Sequence, residues 1–408
     1  MKRVLDLLFW SVIAAAFIGP GTVTTAARAG SDFGFVLAWA LLFSTVACLV
    51  LQEASGRVTV LTGKELGDAV RLRFAASRWA RWVPVALAVG VVLGCAAYEA
   101  GNLLGGVAGL RLAMDVSPAA ATIACGIVAA ALLATGNTRW IARSLGALVA
   151  LMGIAFLVTA VRLGPDLGAL ATGLLAPRIP SGSMVLVLGL VGTTVVPYNL
   201  FLGSALARDH GLGEMRWGLA LAIGGGGLIS LGVLVVGSAL GGGLEYERLA
   251  AVLVDRLGPG AELSLAVGLF GAGLTSAVTA PLAGAITART LLGSAEDDSW
   301  GENSWRYRGV WIGVLAAGVV FGATGVKPIP VIILAQAFNG LILPLIAIFL
   351  WLTMNDRDLL GSEGVNTRTQ NLVMGAVVVV CAMLGLRGLL AAATTALAPV
   401  SYTHLTLP

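Results

Sequence analysis

The sequence predicts an all-α polytopic membrane protein with about eleven transmembrane helices, arranged as two inverted repeats of five. Three observations predict it: the composition, the long apolar stretches and the sorting of basic residues between loops. The 408 residues are 58% hydrophobic and 11% charged, whereas soluble domains carry about a quarter charged residues. A spanning helix needs roughly 20 apolar residues. Eleven stretches approach or exceed that length, near 8–28, 34–54, 83–108, 118–135, 144–162, 183–206, 217–240, 262–290, 309–323, 328–353 and 370–396.

Basic residues are distributed unevenly between the loops that these stretches leave. If the N-terminus is cytoplasmic, that side holds most of them: Lys2, Arg3, Arg57, Lys64, Arg71, Arg73, Arg78, Arg81, Arg139, Arg143, Arg208, Arg216, Arg289, Arg306, Arg308, Arg357 and Arg368. The opposite side holds Arg111, Arg162, Arg178, Arg248, Arg256 and Lys327. Because cytoplasmic loops carry the excess of Lys and Arg, this sorting predicts a multi-pass protein of the cell (inner) membrane with a cytoplasmic N-terminus.

The first ten stretches divide into two sets of five. An odd number of spans forces the second set into the opposite orientation, so we predict inverted repeats over 1–162 and 183–353. Residues 370–396 are predicted to form a peripheral eleventh span. The first stretch lacks a small-residue cleavage site and is expected to be a mature helix rather than a signal peptide. Residues 401–408 end the apolar pattern abruptly, so we expect a non-native tail and assign no role to His404.

Each set begins with a stretch that is interrupted in its middle. Pro20 and Gly21 interrupt the first stretch, and Pro197 and Tyr198 interrupt the sixth. A broken helix frees backbone N–H and C=O groups, which lipid cannot satisfy, so such breaks persist where they line a cavity. Two breaks at matching positions predict a transport site. The structural alternative is a proline kink stabilised by threonine hydroxyls, and for Tyr198 a packing role is as open as a gating one.

Polar side chains inside other stretches are candidates for coupling. A carboxylate deep in a span, such as Glu99, is costly and points to function. Asn102 lies three residues later, on the same helix face, and burial favours a protonatable Glu99. The alternative for Glu99 is an interhelical hydrogen bond. Gln336 and Asn339 would line the cavity or join helices, whereas Glu53 is expected to meet water or an arginine.

Several other functions are not expected from the sequence. No Walker A sequence is present, which gives no indication of ATP-driven transport. His210 and His404 have no partner at metal-ligand spacing, and no Ser/His/Asp set is apparent, so neither an enzyme nor a cofactor is expected. The basic residues orient a membrane protein, and a nucleic-acid partner is not expected. The cysteines lie in apolar stretches and are predicted to be packing residues: Cys48, Cys95, Cys125 and Cys381.

Over about residues 9–360 the chain resembles the natural resistance-associated macrophage protein (NRAMP) family of proton-linked divalent-metal transporters. Residues 51–57 with 61–66 are similar to that family's signature after the second span, and 192–204 resemble its sixth-span motif. Residues 272–284 and 355–361 resemble its eighth span and the loop after its tenth. The resemblance implies the inverted-repeat fold of LeuT-type amino-acid transporters, in which helices 1 and 6 are discontinuous.

The resemblance also implies a metal site at the two breaks. The family's first break reads Asp-Pro-Gly-Asn and binds metal through the Asp and the Asn, where this chain has Gly19 and Thr22. The family's sixth-span motif, Ala-x-x-Met-Pro-His-Asn, contributes an alanine carbonyl and a methionine thioether. Here those residues are Thr193 and Val196, and Asn199 is kept. Neutral oxygens therefore replace a carboxylate, and the soft sulfur ligand is missing.

In the tenth span Gln336 matches the family's glutamine, and Glu99 and Asn102 stand where the family has an Asp-x-x-Glu proton pair. The implied function is secondary active transport of a divalent cation of the Mn, Fe or Mg type, linked to protons, by alternating access. The expected partners are the lipid bilayer and the transported ion. Two alternatives stay open, namely a same-fold transporter of an amino acid or other small organic solute, and a transport-dead sensor.

Overall fold

A computed structural model describes residues 18–135, 139–293 and 298–397, and in those ranges it contains helices and no strand. Its α-helices in chain order are α1 (Pro20–Phe33), α2 (Ala38–Thr62), α3 (Leu66–Phe74), α4 (Trp82–Ala113), α5 (Pro118–Thr135), α6 (Arg139–Leu163), α7 (Leu167–Leu175), α8 (Met184–Thr194), α9 (Pro197–Leu206), α10 (Leu212–Ser238), α11 (Tyr246–Leu257), α12 (Gly260–Leu292), α13 (Trp305–Gly322), α14 (Pro328–Thr353), α15 (Arg357–Gly364) and α16 (Arg368–Leu397).

The predicted spans correspond closely to these helices. Within the described residues, nine segments are long and apolar enough to cross a membrane, with α8 and α9 together forming one of them. The short ninth stretch is α13, which has 18 residues and contains two arginines in its first turn. The first stretch is described only from residue 18, so its N-terminal half and the predicted tail at 401–408 lie outside the described residues. The predicted all-α, polytopic class is confirmed.

One predicted boundary is wrong. The second span was expected at 34–54, with the signature at 51–57 beyond it, but α2 continues through these residues to Thr62. The helix continues because the guanidinium of Arg57 has partners inside the protein: it donates to Glu53 at 3.3 Å, to the Gly364 carbonyl at 2.9 Å and to the Asn366 side chain at 2.6 Å. A charge satisfied in this way does not require a helix end in water.

The two ends of the helix bundle carry separate sets of charges. At one end, Glu65 pairs with Arg208 at 2.9 Å and with Arg289 at 3.2 Å. These contacts join the α2–α3 turn to the ends of α9 and α12. At the other end, Arg111 and Lys327 line one cavity of about 390 Å³ between α1, α4, α11 and α14. The structure therefore groups these basic residues as the loop sequences predicted.

Close glycine contacts hold the central helices together. α4 and α12 make the most extensive helix–helix contact. A Cβ on Gly273 of α12 would lie 2.6 Å from the backbone nitrogen of Gly106 in α4 and 2.7 Å from the carbonyl oxygen of Asn102. Small residues let helix backbones approach in lipid, where packing contacts replace the hydrophobic driving force. This contact fixes the rotation of α4, which carries the predicted coupling residues.

Replacing Arg57 with leucine is expected to lower the unfolding free energy by about 2–5 kcal/mol, because the Gly364 carbonyl and Asn366 lose a buried charged donor. Glu53 keeps a second partner, Arg216, at 2.7 Å. Thermal melting of the detergent-solubilised protein measures the effect. Arg71→Leu is the control, since its pair with Asp68 is partly exposed and such pairs contribute little. Equal melting temperatures for the two variants would contradict the prediction.

Candidate functional site

The first break lies immediately before α1. Gly19 has an extended backbone, with φ −86° and ψ 174°, and Pro20 is the first helical residue. The Gly19 carbonyl accepts from the N–H groups of Thr22 at 3.1 Å and Val23 at 3.3 Å. Proline suits this position because its missing N–H and fixed φ match the start of a helix. Helix α1 therefore begins at the predicted proline, and the part of the first stretch before Ile18 lies outside the described residues.

The second break separates α8 from α9. Val195 and Val196 leave the helical conformation, with φ/ψ of −100°/75° and −76°/122°, and Pro197 starts α9. The N–H of Asn199 bonds to the Val196 carbonyl at 3.0 Å. The sixth span is thus discontinuous at the predicted proline, and both of its half-helices are largely buried.

The two breaks meet through a pair of threonines. The hydroxyls of Thr22 and Thr193 are 3.0 Å apart and form a buried hydrogen bond. The amide of Gln336 in α14 packs directly against the first break, since a Cβ on Gly21 would lie 2.6 Å from its Cδ. α14 can approach α8 this closely because Gly192 faces the backbone of Gln336. The structure therefore brings together Thr22, Thr193 and Gln336.

Two tyrosines cover the site on the α4 side. The ring of Tyr198, next to the second proline, packs edge-to-face on Tyr98 with centroids 5.5 Å apart and an interplanar angle of 87°. The side chain of Tyr98 also lies next to Thr193 and Gln336. Tyr198 is thus a buried packing aromatic at the site. Tyr98 was not predicted from the sequence, since the helix is apolar on nearly all sides and no pattern shows which face Tyr98 occupies.

The remaining residues predicted at the second break differ in character. Val196 is buried and offers only apolar atoms and its carbonyl, which already accepts the N–H of Asn199. The side chain of Asn199 is 4% exposed. Neither of its amide atoms has a hydrogen-bond partner among the residues that the structure describes. Asn199 therefore keeps its full bonding capacity in a buried position, next to the tyrosine pair.

Glu99 lies on the face of α4 that packs against α13. Glu99 is fully buried, and its Cγ packs against α13, where a Cβ on Gly318 would lie 2.5 Å from it. Asn102 lies beside it, but neither side chain makes a well-aligned hydrogen bond to a described residue. The two residues predicted for proton coupling are therefore adjacent, and Glu99 faces α13 rather than the threonines.

A polar contact separates the site from one end of the bundle. The hydroxyls of Thr24 and Tyr246 are 2.6 Å apart. Thr24 lies about one turn beyond the first break, and Tyr246 also lines the cavity that holds Arg111 and Lys327. Tyr246 was not predicted either, because nothing in a loop sequence indicates which side chain folds back onto a distant helix.

The chemistry of the site is that of oxygen ligands. Within the described part of the chain, no group of three or more His, Cys, Asp or Glu side chains is placed to hold a metal ion. What converges at the breaks is a set of hydroxyls, side-chain amides and backbone carbonyls. Such neutral, hard oxygens suit hard cations that keep several waters, and they offer nothing to distinguish a soft metal.

Comparison with known proteins identifies the family of this chain. The model of the natural resistance-associated macrophage protein-like family matches residues 11–391. The chain is 28% identical over 303 residues to the divalent metal cation transporter MntH of Yersinia pestis (strain Pestoides F), covering 70% of this chain and 73% of the relative. It is 28% identical over 402 residues to MntH of Deinococcus radiodurans, covering 93% and 88%.

Solved structures show the same architecture. The manganese transporter of Eremococcus coleocola superimposes with a TM-score of 0.74 at 19% identity, covering 97% of this chain and 88% of that one. The nucleobase-cation-symport-1 family transporter Mhp1 superimposes with a TM-score of 0.58 at 14% identity, covering 96% and 93%. The fold is therefore the LeuT-like inverted repeat, and within the described residues helix 6 is discontinuous. Together with the family match over most of its length, this establishes that the chain belongs to the natural resistance-associated macrophage protein family.

Proposed function

We propose that the protein is a secondary active transporter of divalent metal cations, of the Mn, Fe or Mg type. Alternating access would deliver the ion to the breaks in helices 1 and 6. The metal is the cargo rather than a cofactor, and the protein carries out no chemical conversion as an enzyme would. Family membership supports this function, as do the names of relatives that are divalent metal cation transporters.

The observation that carries the proposal is the hydrogen bond between Thr22 and Thr193, which joins the two broken helices at buried hydroxyls. A discontinuous helix presents backbone dipoles and free carbonyls to a substrate near the membrane midplane. We assign substrate contact to the residues around that hydrogen bond, with Val196 and Gly19 contributing backbone only: Gly19, Thr22, Thr193, Val196, Asn199 and Gln336. We assign the interruption of the two helices at this level to Pro20, Gly21, Pro197 and Tyr198.

We further assign proton coupling to Glu99 and Asn102. Glu99 and Glu65 are the buried acidic residues of the described chain, and Glu65 is occupied by two arginines. A buried carboxylate without such partners takes up and releases a proton more readily, as its surroundings change, than one that is paired with arginines. Its position between α4 and α13 gives the proton a route separate from the one through the threonines.

We place the two inverted repeats at 1–162 and 183–353, with 370–396 as a peripheral span. The end of the bundle with Glu65, Arg208 and Arg289 is assigned to the cytoplasm, because most basic loop residues lie there. The N-terminus is then cytoplasmic, and the membrane is the cell (inner) membrane. The cavity at Tyr246 accordingly opens to the outside.

The test is uptake into proteoliposomes with a panel of Mn²⁺, Fe²⁺, Mg²⁺ and Cd²⁺ and an internal pH dye. Saturable uptake of a divalent ion with internal acidification supports the proposal. Uptake of an amino acid in place of metal would favour the organic-solute alternative. Against that alternative, two N–H groups of α1 that an organic anion would use already donate hydrogen bonds to the Gly19 carbonyl. No flux of any solute would indicate a sensor.

Within that assay, Thr193→Val is expected to lower the initial uptake rate about tenfold, a loss of about 1.4 kcal/mol. Valine keeps the shape but removes the hydroxyl that joins the breaks. Thr194→Val is the matched control, because the Thr194 hydroxyl bonds to the Leu190 carbonyl of its own helix at 2.9 Å. Equal uptake by the two variants would argue against a role for the threonine pair.

A further inference from the structure

A second buried amide lies one turn along α14 from Gln336. Asn339 is three residues later and is 1% exposed. Neither its oxygen nor its nitrogen has a hydrogen-bond partner among the described residues. An amide left unpaired in a helical membrane bundle is destabilising, and a leucine would pack there without that cost. The position therefore calls for a ligand rather than for packing.

The helix opposite Asn339 has a glycine where the amide oxygen approaches it. A Cβ on Gly94 of α4 would lie 2.6 Å from the Asn339 Oδ1, so any larger residue would force the amide to shift. Gly94 precedes Tyr98 by four residues, so Asn339 lies about one helical turn from the tyrosine pair. One turn earlier, Gly90 faces the same helix, but a Cβ there would meet Ile342 at an ordinary 3.7 Å.

α9 completes this region and contacts both α4 and α14. It begins at the second break and leads, through Leu206, to Arg208 at the end of the bundle that holds Glu65. α14 runs toward the same end, because Asp356, just after it, pairs with Arg73 at 2.9 Å. Asn199 and Asn339 therefore both lie on the Glu65 side of the threonine pair.

We propose that Asn339 forms a second ligand station for the transported divalent cation, between the site that includes Asn199 and the Glu65 end of the bundle. The inference rests on the proposed transport function and adds a site to it. The two side chains are buried and unpaired, and they lie on helices that contact each other. They offer neutral amide oxygens to a cation that leaves the threonines.

The chemistry of the station selects among cations. Amide oxygens are hard ligands and favour hard ions such as Mg²⁺ and Mn²⁺ over soft Cd²⁺. Without a carboxylate they bind weakly, and a conducted ion has to bind weakly enough to leave. A partly hydrated ion also donates hydrogen bonds from its bound waters to the amide oxygens.

The test compares four proteins in proteoliposomes: the wild type, Asn339→Leu, Gly94→Ala and Gly90→Ala. Initial rates give KM and maximal rate for Mg²⁺, Mn²⁺ and Cd²⁺, and melting in detergent without metal reports stability. We expect Asn339→Leu to raise KM for Mg²⁺ and Mn²⁺ about fivefold, and KM for Cd²⁺ less than about twofold. Gly94→Ala should act in the same direction because its methyl group displaces the amide, whereas Gly90→Ala should match the wild type.

The melting temperature distinguishes a ligand from an interhelical hydrogen bond. A ligand role predicts that Asn339→Leu melts no lower than the wild type without metal, because a buried unpaired amide has been removed. A lower melting temperature of Asn339→Leu together with an equal rise in KM for all three ions would overturn the inference. An unchanged KM in both Asn339→Leu and Gly94→Ala would overturn it as well. A wild type that transports no divalent ion would instead refute the proposed function itself.

Discussion

Proteoliposomes containing the Glu99→Gln variant are expected to lose the acceleration of metal uptake by an acidic exterior. Internal acidification should fall at least about tenfold. Glutamine keeps the size of the side chain but neither takes up nor releases a proton. Glu99 is fully buried between α4 and α13. The described chain offers no other buried carboxylate free of arginine partners, so no nearby group is placed to substitute for it.

Glu262→Gln is the control for this experiment. Glu262 is an exposed carboxylate in the first turn of α12, and its replacement removes a negative charge without touching the interior. Paired measurements at several external pH values, with the internal dye, separate proton movement from metal movement. If Glu99→Gln retained the pH dependence of the wild type, Glu99 would have no role in coupling.

Gly273→Val is expected to prevent stable folding, or to lower the melting temperature by far more than the loss of any single side chain. Overpacking a flexible core costs about 1–3 kcal/mol, but here the new atoms meet backbone. A Cβ alone would lie 2.6 Å from the Gly106 nitrogen and 2.7 Å from the Asn102 carbonyl oxygen. α4 and α12 would have to separate, and their contact is the most extensive in the fold.

An exposed glycine on the surface of the bundle provides the comparison. A Cβ on Gly313 in α13 would have no atom within 4 Å, so Gly313→Ala is expected to leave the melting temperature unchanged or raise it slightly. Alanine is favoured over glycine in a helix interior by about 1 kcal/mol. Melting of both variants in the same detergent tests the contrast. A Gly273→Val protein that melted like Gly313→Ala would show that the helix contact is adaptable.

The architecture was predictable because its determinants are local. Span length, prolines in mid-span and loop arginines can each be read without knowing what packs where. The boundary of α2 was not predictable in this way. Arg57 signals a helix end in sequence, but its partners Gly364 and Asn366 are about 300 residues away. Only the folded chain shows that this charge is satisfied within the protein.

The site was predictable in part for the same reason. The prolines and threonines of the breaks are visible in sequence, and the repeat brings them to one level of the membrane. The orientation of α4 was not visible, because the helix is apolar on nearly all sides and no amphipathic pattern shows which face is inward. Tyr98 therefore turns out to face the threonines, while its neighbour Glu99 faces α13.

Glu65 is shared between two arginines that differ in their surroundings. Arg208, at the end of α9, is about half exposed, whereas Arg289 of α12 is mostly enclosed and stacks on Tyr307 at 6.0 Å. If α9 moved away from α12, Arg208 would enter water, where a guanidinium is well solvated, and Glu65 would keep its partner Arg289 on α12. The carboxylate at this end of the bundle therefore has a charged partner even without its contact to α9.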